Sequence, residues 1–315
     1  MGANEAADSA LATAWSRELG LHVPIVNAPM GGAAGGRLAT AVTNAGGFGM
    51  IGMGSAGSVQ ALERELTELK TDRFGIGLVD WVRRRETGLL ETAINAKPAL
   101  ISVSFADNFD WVESVRDAGI LTATQVYDVP SAHRAQDAGV DVLVARGSEG
   151  GGHGADRVAL MPLLDAVLEI ATVPVLAAGG IGSGRSLAAV LAAGASGAWV
   201  GTALAAATES LLPEFARLAM LAADSASTTS TTAFDAALDL PWPVEYPARV
   251  LRNDFTEQPL PTEVLRAAIA ADDPRFAPVD AGQGVGLVTH IESAATVIDR
   301  MCTSAAHLLT RNRPD

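Results

Sequence analysis

The chain contains 315 residues, of which 49% are hydrophobic and only 18% are charged, and this composition excludes a mainly disordered protein. Its 22 basic and 36 acidic residues give a net charge of −14, which argues against nucleic-acid binding and against docking on anionic lipid. The single cysteine, Cys302, excludes an internal disulfide framework and a multi-thiolate metal site. We therefore expect a cytoplasmic protein that binds no metal.

The N-terminal segment contains Asn4, Glu5 and Asp8 and has neither a basic start nor a continuous apolar core, so no signal peptide is expected. Residues 186–208 carry no charge and are long enough to raise the question of a membrane span. They are mostly alanine and are interrupted by glycines. This composition favours a helix followed by a short strand.

Short apolar runs alternate with helical patterns from about residue 23 to residue 220. The runs are continuous rather than alternating in polarity, which is typical of parallel strands buried on both faces. We predict eight strands, at residues 23–27, 48–51, 74–78, 99–103, 121–125, 142–145, 175–178 and 198–200.

Three of the intervening helical patterns end at Gly119, Gly139 and Gly194, where a left-handed residue commonly ends a helix. Each glycine is followed closely by the next strand, a rhythm typical of repeated strand and helix units. Eight such units form an α/β fold, the (β/α)8 TIM barrel. A doubly wound open sheet is the structural alternative, although it more often has fewer strands.

The length fits one barrel with an additional segment better than two domains. We assign residues 1–20 to an N-terminal extension, residues 21–220 to the barrel, and residues 221–315 to a mostly helical C-terminal extension packed on it. Residues 225–232 are a Ser/Thr tract without a large apolar side chain, which predicts a mobile linker or lid. Further helices are predicted near residues 262–271 and 286–309.

Two neighbouring strand ends are rich in glycine. Gly179 and Gly180 follow the seventh predicted strand, and Gly201 and Thr202 follow the eighth. In TIM barrels the carboxyl ends of the strands form the reactive face, and the loops after strands seven and eight commonly bind phosphate. We therefore predict that Gly180, Gly201 and Thr202 hold a phosphate-bearing ligand. Tight turns without a ligand are the alternative.

The sixth predicted strand leads into a glycine loop, residues 147–154, that contains His153. A histidine at this end of the barrel faces its mouth and can exchange a proton with a substrate, so His153 is the candidate catalytic residue. Arg146 directly precedes the loop. It either holds an anionic substrate or a cofactor oxygen, or it pairs with a local carboxylate such as Glu149.

The other ionisable and nucleophilic candidates are expected to be structural or solvated. Cys302 is far in sequence from every strand end, which leaves a thiol nucleophile unsupported. The remaining four of the five histidines are His22 before the first strand, His133 on an outer helix, and His290 and His307 on the C-terminal helix.

Four segments together resemble the nitronate monooxygenases, formerly called 2-nitropropane dioxygenases. They are residues 24–30, residues 44–49, the motif GSEGGGHG at residues 147–154 and the motif AAGGI at residues 177–181. The resemblance covers about residues 20–220, and residues 281–287 extend it into the C-terminal part.

This resemblance implies an FMN-dependent TIM barrel that oxidises alkyl nitronates with O2 and without a nicotinamide cofactor. It implies that His153 is the catalytic base. The residues expected to contact FMN are Ala28, Met30, Arg146, Gly151, Gly179, Gly180, Gly201 and Thr202. The expected partners are a small-molecule substrate and O2, and a homo-oligomer is compatible with the sequence.

Two positions depart from the family pattern, which often has glutamine in place of Arg146 and asparagine in place of Gly77. Arg146 would add positive charge beside the flavin or the substrate, so strict nitronate activity is not fixed by the sequence. Two other functions stay open. One is a flavin-dependent enoyl-thioester (enoyl-ACP type) reductase that uses NAD(P)H, because such enzymes share the fold and nearly the same histidine loop. The other is a barrel that binds a phosphate-bearing ligand without redox chemistry. Five residues either line the substrate pocket or pack loops, namely Asp80, Trp81, Phe105, Asn108 and Trp111.

Overall fold

The computed structural model describes residues 10–105 and 108–310, and it confirms the predicted eight-stranded parallel barrel. The barrel strands are β1 Ile25–Asn27, β2 Met50–Met53, β3 Gly75–Val79, β4 Leu100–Ser104, β5 Leu121–Val126, β6 Val142–Arg146, β8 Val175–Ala178 and β9 Gly197–Val200. Their spatial order is β1, β9, β8, β6, β5, β4, β3, β2. A parallel bridge between Val26 and Phe48 joins the two ends of this order and closes the ring.

Side chains on alternate strand positions fill the two sides of the barrel wall. In β6, Val142 and Val144 belong to the apolar cluster that contains Phe48 and Trp199, whereas Leu143 belongs to the larger cluster that includes helix residues. Because both faces of the strands are buried, the sequence shows continuous apolar runs rather than alternation.

Helices flank the barrel strands. They are α1 Ala14–Glu18, α2 Gly36–Asn44, α3 Val59–Thr67, α4 Asp80–Arg85, α5 Leu89–Asn95, α6 Val112–Asp117, α7 Val129–Asp137, α8 Leu160–Ile170, α9 Gly184–Ala192 and α10 Thr202–Ala205. Helix α10 lies at the mouth of the barrel. The predicted helix ends are confirmed, since Gly119, Gly139 and Gly194 have φ of +74°, +82° and +107°. His133 lies on α7, as predicted.

The C-terminal part contains both helices and strands. Its elements are α11 Glu214–Ala222, β10 Thr228–Thr231, α12 Ala233–Leu238, β11 Ala248–Leu251, α13 Asp254–Glu257, α14 Thr262–Ala270, a 3-10 turn Gln283–Leu287 and α15 Ala294–Thr310. Helix α15 packs closely on α9, because a Cβ added at Gly184 would lie 2.4 Å from the Cβ of Ser304.

Two predictions for this part are wrong. The Ser/Thr tract is not a linker, because Thr228–Thr231 forms β10 and pairs antiparallel with β11; threonine is β-branched and suits a strand. The last helix begins at Ala294 rather than at residue 286, so His290 precedes it, whereas His307 lies on it as predicted. Among the described residues, no helix combines the length and the hydropathy needed to span a membrane.

Strand β11 also pairs with a two-residue strand of the histidine loop, β7 Gly152–His153. In this pairing Ala248 lies opposite His153, and Arg249 lies opposite Gly152. The resulting sheet of β10, β11 and β7 joins the C-terminal part to the mouth of the barrel.

Candidate active site

A cavity of about 640 Å³ lies at the carboxyl ends of the barrel strands. Every residue that the sequence singled out for catalysis or cofactor binding lines it: Ala28, Met30, Arg146, Gly151, His153, Gly179, Gly180, Gly201 and Thr202. One side of the cavity is formed by the barrel's strand ends and loops. The other side is formed by the C-terminal part, through residues of α12, β11 and the segments that flank them.

Glycines allow the loop after β1 to lie directly on the strand ends. A Cβ at Gly77 would lie 2.2 Å from Cγ of Pro29, and a Cβ at Gly52 would lie 2.3 Å from the carbonyl carbon of Pro29. Such approaches exclude any side chain at either position. The family pattern often has asparagine where this chain has Gly77. This difference has a structural reason, since the loop that carries Met30 to the cavity occupies the space that the asparagine side chain would need.

The glycines after β8 and β9 present backbone to the cavity. Gly179 and Gly180 have φ of +114° and +67°, which a larger residue would adopt only with strain. Within residues 10–105 and 108–310, the N–H groups of Gly180 and Gly201 donate to no protein acceptor. Two unpaired donors facing one cavity are suited to an anionic group such as a phosphate.

The Thr202 hydroxyl oxygen beside them accepts a 2.9 Å hydrogen bond from the N–H of Gly282. This bond ties the segment around Gly282 to the end of β9. Gly282 itself lies against the histidine loop, because a Cβ there would lie 2.5 Å from the Glu149 carbonyl oxygen. Three separate chain segments therefore meet at this end of the cavity.

Arg146 organises the histidine loop from inside. Its guanidinium is buried, and Nη2 donates to the carbonyl oxygens of Gly151 at 2.8 Å and Gly152 at 3.2 Å. The expected alternative of an ion pair between Arg146 and Glu149 is wrong, because the Glu149 carboxylate instead accepts a hydrogen bond from the N–H of Leu160 at 2.9 and 3.0 Å. Burial lowers the pKa of Arg146, and the nearby Arg249 lowers it further, whereas Tyr127, Asp280 and Asp156 act in the opposite direction.

Arg249 of β11 holds the same loop from the C-terminal side. Its Nε donates to the Ser148 carbonyl oxygen at 2.8 Å, and its Nη2 forms an ion pair with Asp156 at 3.1 Å. Arg249 is also buried. The loop that carries His153 is thus held between two arginines, one on each wall of the cavity.

His153 is held by two residues of the C-terminal part that sequence reasoning missed. Its Nε2 lies 3.1 and 3.0 Å from the two carboxylate oxygens of Asp235. The Trp242 ring stacks on the imidazole at a centroid separation of 3.6 Å and an interplanar angle of 5°. The indole N–H of Trp242 donates to Ser55 Oγ at 2.9 Å, which anchors the stack to the loop after β2.

Both residues carried a sequence signal. Asp235 is the one charged residue in the apolar helix Ala233–Leu238, and a carboxylate in such a setting is seldom buried without a partner. Trp242 stands between Pro241 and Pro243. Neither signal indicates which residue the side chain would meet.

Asp280 is a second carboxylate at this wall. It faces the cavity and is accessible from it, but protein atoms surround it. This desolvation raises its pKa, and the negative charge of Asp235 raises it further, whereas His153 and Arg146 act in the opposite direction. Among the described residues it has neither a hydrogen bond nor an ion pair at contact distance, so its charge is balanced only at longer range.

Of the five uncertain pocket residues, Phe105 lines the cavity. It has φ of +67° and meets Trp242 edge to face at 4.9 Å. The other four pack loops: Asp80 pairs with Arg83 and Arg84, Asn108 accepts from Arg84, Trp81 meets Trp242 edge to face, and Trp111 is buried in the core.

The chain is similar to proteins of known family. A family model described as nitronate monooxygenase matches residues 81–304. The nitronate monooxygenase of Paraburkholderia phytofirmans is 30% identical over 286 residues, which cover 76% of each chain. The (3aS,4S,5R,7aS)-5-hydroxy-7a-methyl-1-oxo-octahydro-1H-indene-4-carboxyl-CoA dehydrogenase of Rhodococcus jostii is 30% identical over 270 residues, which cover 84% of this chain and 72% of the relative.

Two solved structures share the architecture. FabK from Thermotoga maritima superposes with a TM-score of 0.83 at 28% identity, over 95% of this chain and 97% of that one. A nitroalkane oxidase from Streptomyces ansochromogenes superposes with a TM-score of 0.82 at 26% identity, over 95% of this chain and 100% of that one.

Proposed function

The chain belongs to the nitronate monooxygenase family, and we propose that it is an FMN-dependent oxidoreductase that oxidises alkyl nitronates with molecular oxygen. The observation that carries this proposal is the position of His153, which lines the cavity opposite the glycine-rich strand ends and is held there by Asp235 and Trp242. A proton-accepting group and a phosphate-binding backbone thus face one cavity.

The residues of the cavity fit FMN. The unpaired N–H groups of Gly180 and Gly201 suit its phosphate, and a volume of about 640 Å³ lies within the roughly 300–1,000 Å³ typical of cofactor and ligand sites. The residues that would hold it are Ala28, Met30, Arg146, Gly151, Gly179, Gly180, Gly201 and Thr202. When bound, the flavin supplies the redox chemistry, while the protein supplies binding, orientation and electrostatics.

His153 would act as the base. A neutral nitroalkane becomes a nitronate when it loses a proton from the carbon that carries the nitro group, and an imidazole at the cavity wall can accept that proton. Trp242 and Phe105 would exclude water from the reacting carbon, since both line the cavity and contact each other. Arg146 contributes positive charge behind the loop, which favours an anionic product.

The test is oxygen consumption by the flavin-loaded protein when it receives the nitronate of 2-nitropropane, and then 2-nitropropane itself. We expect uptake with both compounds. His153→Ala should retain bound flavin and lose about 10²- to 10⁴-fold of the nitroalkane activity, the usual contribution of a general base. No oxygen uptake with the nitronate would contradict the proposal, and so would uptake with 2-nitropropane no higher than that of the His153→Ala control.

A second candidate is an enoyl-thioester reductase that uses NAD(P)H. The likeness to FabK favours it, and so does the Rhodococcus jostii relative, whose name describes a CoA thioester. Rapid anaerobic bleaching of the flavin by NADH or NADPH, followed by reoxidation with an enoyl thioester, would support this candidate. Slow bleaching by both nucleotides would remove it.

A further inference from the structure

We infer that Asp235 is a positioning residue that fixes the tautomer of His153 and leaves Nδ1 as the nitrogen that accepts the proton of the substrate. The inference rests on the proposed function in giving His153 a proton to accept. The tautomer can nevertheless be measured without any turnover, so the two proposals can fail separately.

The first argument is the hydrogen bond between the two side chains. Both carboxylate oxygens of Asp235 lie within 3.1 Å of Nε2 of His153. A carboxylate accepts hydrogen bonds and does not donate them, so Nε2 carries the hydrogen. A neutral imidazole carries one N–H, and Nδ1 therefore has the lone pair. Within the described ranges, Nδ1 of His153 makes no hydrogen bond to the protein.

The second argument is that the Asp235 carboxylate has a single hydrogen-bond donor among the described residues, His153. The side chains of His153 and Asp235 are only 15% and 9% exposed, and no other described group donates a hydrogen bond to the Asp235 carboxylate. Helix α12 is anchored beside the pair, since Phe234 packs on Phe255 at a centroid distance of 4.4 Å. A buried carboxylate with one donor is stabilised through that donor, so it favours the tautomer that supplies it.

The third argument is the orientation of the ring. Trp242 covers one face of the imidazole in a nearly parallel stack, and its indole is tied to Ser55. Asp235 occupies the Nε2 edge. One face and one edge of His153 are therefore held by residues of the C-terminal part, and the edge with Nδ1 remains for the substrate.

The test is the tautomer of His153 in the flavin-loaded protein labelled with ¹⁵N-histidine, observed by long-range ¹H–¹⁵N correlation. The signal is assigned by its disappearance in His153→Gln. Wild type should show a protonated Nε2 and an unprotonated Nδ1 when the ring is neutral. In Asp235→Asn this preference should be lost, because an amide offers both a donor and an acceptor to Nε2. Asp235→Glu should restore it.

Two control variants separate this role from charge and folding. Asp280→Asn removes a carboxylate that faces the same cavity without bonding to the imidazole, and it should leave the tautomer unchanged. Asp239 is exposed and lies just beyond α12. The variant Asp239→Asn should therefore leave both the tautomer of His153 and the turnover unchanged. With a nitroalkane substrate, Asp235→Asn should lower kcat by about 10²-fold with little change in KM.

A protonated Nδ1 in the wild-type protein would overturn the inference, and so would an unchanged tautomer in Asp235→Asn. If the tautomer behaves as expected but no nitronate or nitroalkane is oxidised, the positioning role of Asp235 stands and the proposed reaction fails. If 2-nitropropane drives oxygen uptake and Asp235→Asn has wild-type kcat with this nitroalkane, the reaction stands and the positioning role fails.

Discussion

The two walls of the cavity are built in different ways. The barrel wall presents mostly backbone at Gly179, Gly180 and Gly201, where side chains are absent and N–H groups face the space. The C-terminal wall presents functional side chains, the carboxylates of Asp235 and Asp280 among them. At the barrel wall, the absence of side chains lets a ligand approach the backbone closely. At the C-terminal wall, particular side-chain groups face the cavity instead.

This difference suggests a division of labour. On the proposed function, backbone groups at the glycine-rich strand ends would bind the phosphate of the cofactor whatever substrate is used. Side chains from the C-terminal part decide how the reacting groups are positioned, and they can differ between proteins that share the barrel. The similarity of this chain both to nitronate monooxygenases and to a CoA-thioester dehydrogenase fits a common cofactor wall with variable chemistry opposite it.

The sharpest test of the barrel wall is Gly201→Leu. The nearest atoms to an added Cβ are Met30 Sδ at 3.6 Å and the Ala28 Cβ at 3.8 Å, which is ordinary contact, so the fold should persist. The longer side chain would extend into the cavity that we assign to FMN. We expect at least about a 10²-fold weaker Kd for FMN, which a loss of about 2.7 kcal/mol would produce. Flavin fluorescence on titration measures it.

Gly201→Ala is the matched control, because its methyl group fits the same space and should leave FMN binding nearly unchanged. Thermal unfolding of the flavin-free proteins should be similar for both variants and wild type. If Gly201→Leu bound FMN as tightly as wild type, the assignment of this strand end to the cofactor would be wrong.

The sequence was sufficient to predict the barrel wall because its signals are local. The run Val142–Arg146 is apolar until its last residue, where the strand reaches the mouth. Gly179 and Gly180 follow a buried strand directly, and their positive φ values are of the kind that glycine permits. A reader of the sequence needs only neighbouring residues to infer these features.

The C-terminal wall could not be predicted in the same way, because its contacts join distant residues. Asp235 and His153 are 82 positions apart, and Arg249 and Ser148 are 101 apart. The strand Thr228–Thr231 was missed for the same reason. Its pairing with β11 defines it, and the Ser/Thr tract alone resembles a linker.

The attachment of this wall to the barrel can be weakened at Arg249. Arg249→Met should lower the free energy of unfolding by about 1–3 kcal/mol, because the Ser148 carbonyl loses its buried donor. Asp156 is 39% exposed and can be solvated, which limits the cost. Urea unfolding monitored by circular dichroism gives the value, provided that the m-value is unchanged.

Arg252→Met provides the comparison for this change, since Arg252 follows the same strand and, among the described residues, its side chain forms only a solvent-exposed pair with Glu257 at 3.6 Å. Exposed pairs contribute about 0–1 kcal/mol. Equal effects of the two variants would mean that Arg249 contributes no more than a surface charge and that the loop is held by Arg146 and the β7 pairing alone.

The smallest expected effect is the pH dependence of stability at Asp280. Protein atoms around the Asp280 carboxyl desolvate it and raise its pKa in the folded protein, so the folded state keeps the proton to a higher pH than the unfolded state does. The contribution of the Asp280 carboxyl to stability is therefore present at low pH, and it is lost as the pH rises through the pKa of the folded state.

Asp280→Asn removes this dependence, because asparagine is neutral at every pH. The variant should unfold about 1–3 °C above wild type at pH 7, a shift of less than about 1 kcal/mol for a chain of this size. The difference should shrink toward zero as the pH falls to about 4, the ordinary range of an aspartate. Thermal unfolding of the flavin-loaded proteins at pH 4, 5.5 and 7 measures it. A variant less stable than wild type at pH 7 would mean that attraction from Arg146 and His153 outweighs desolvation, and Asp280 would then join Arg249 as a group that holds the two walls together.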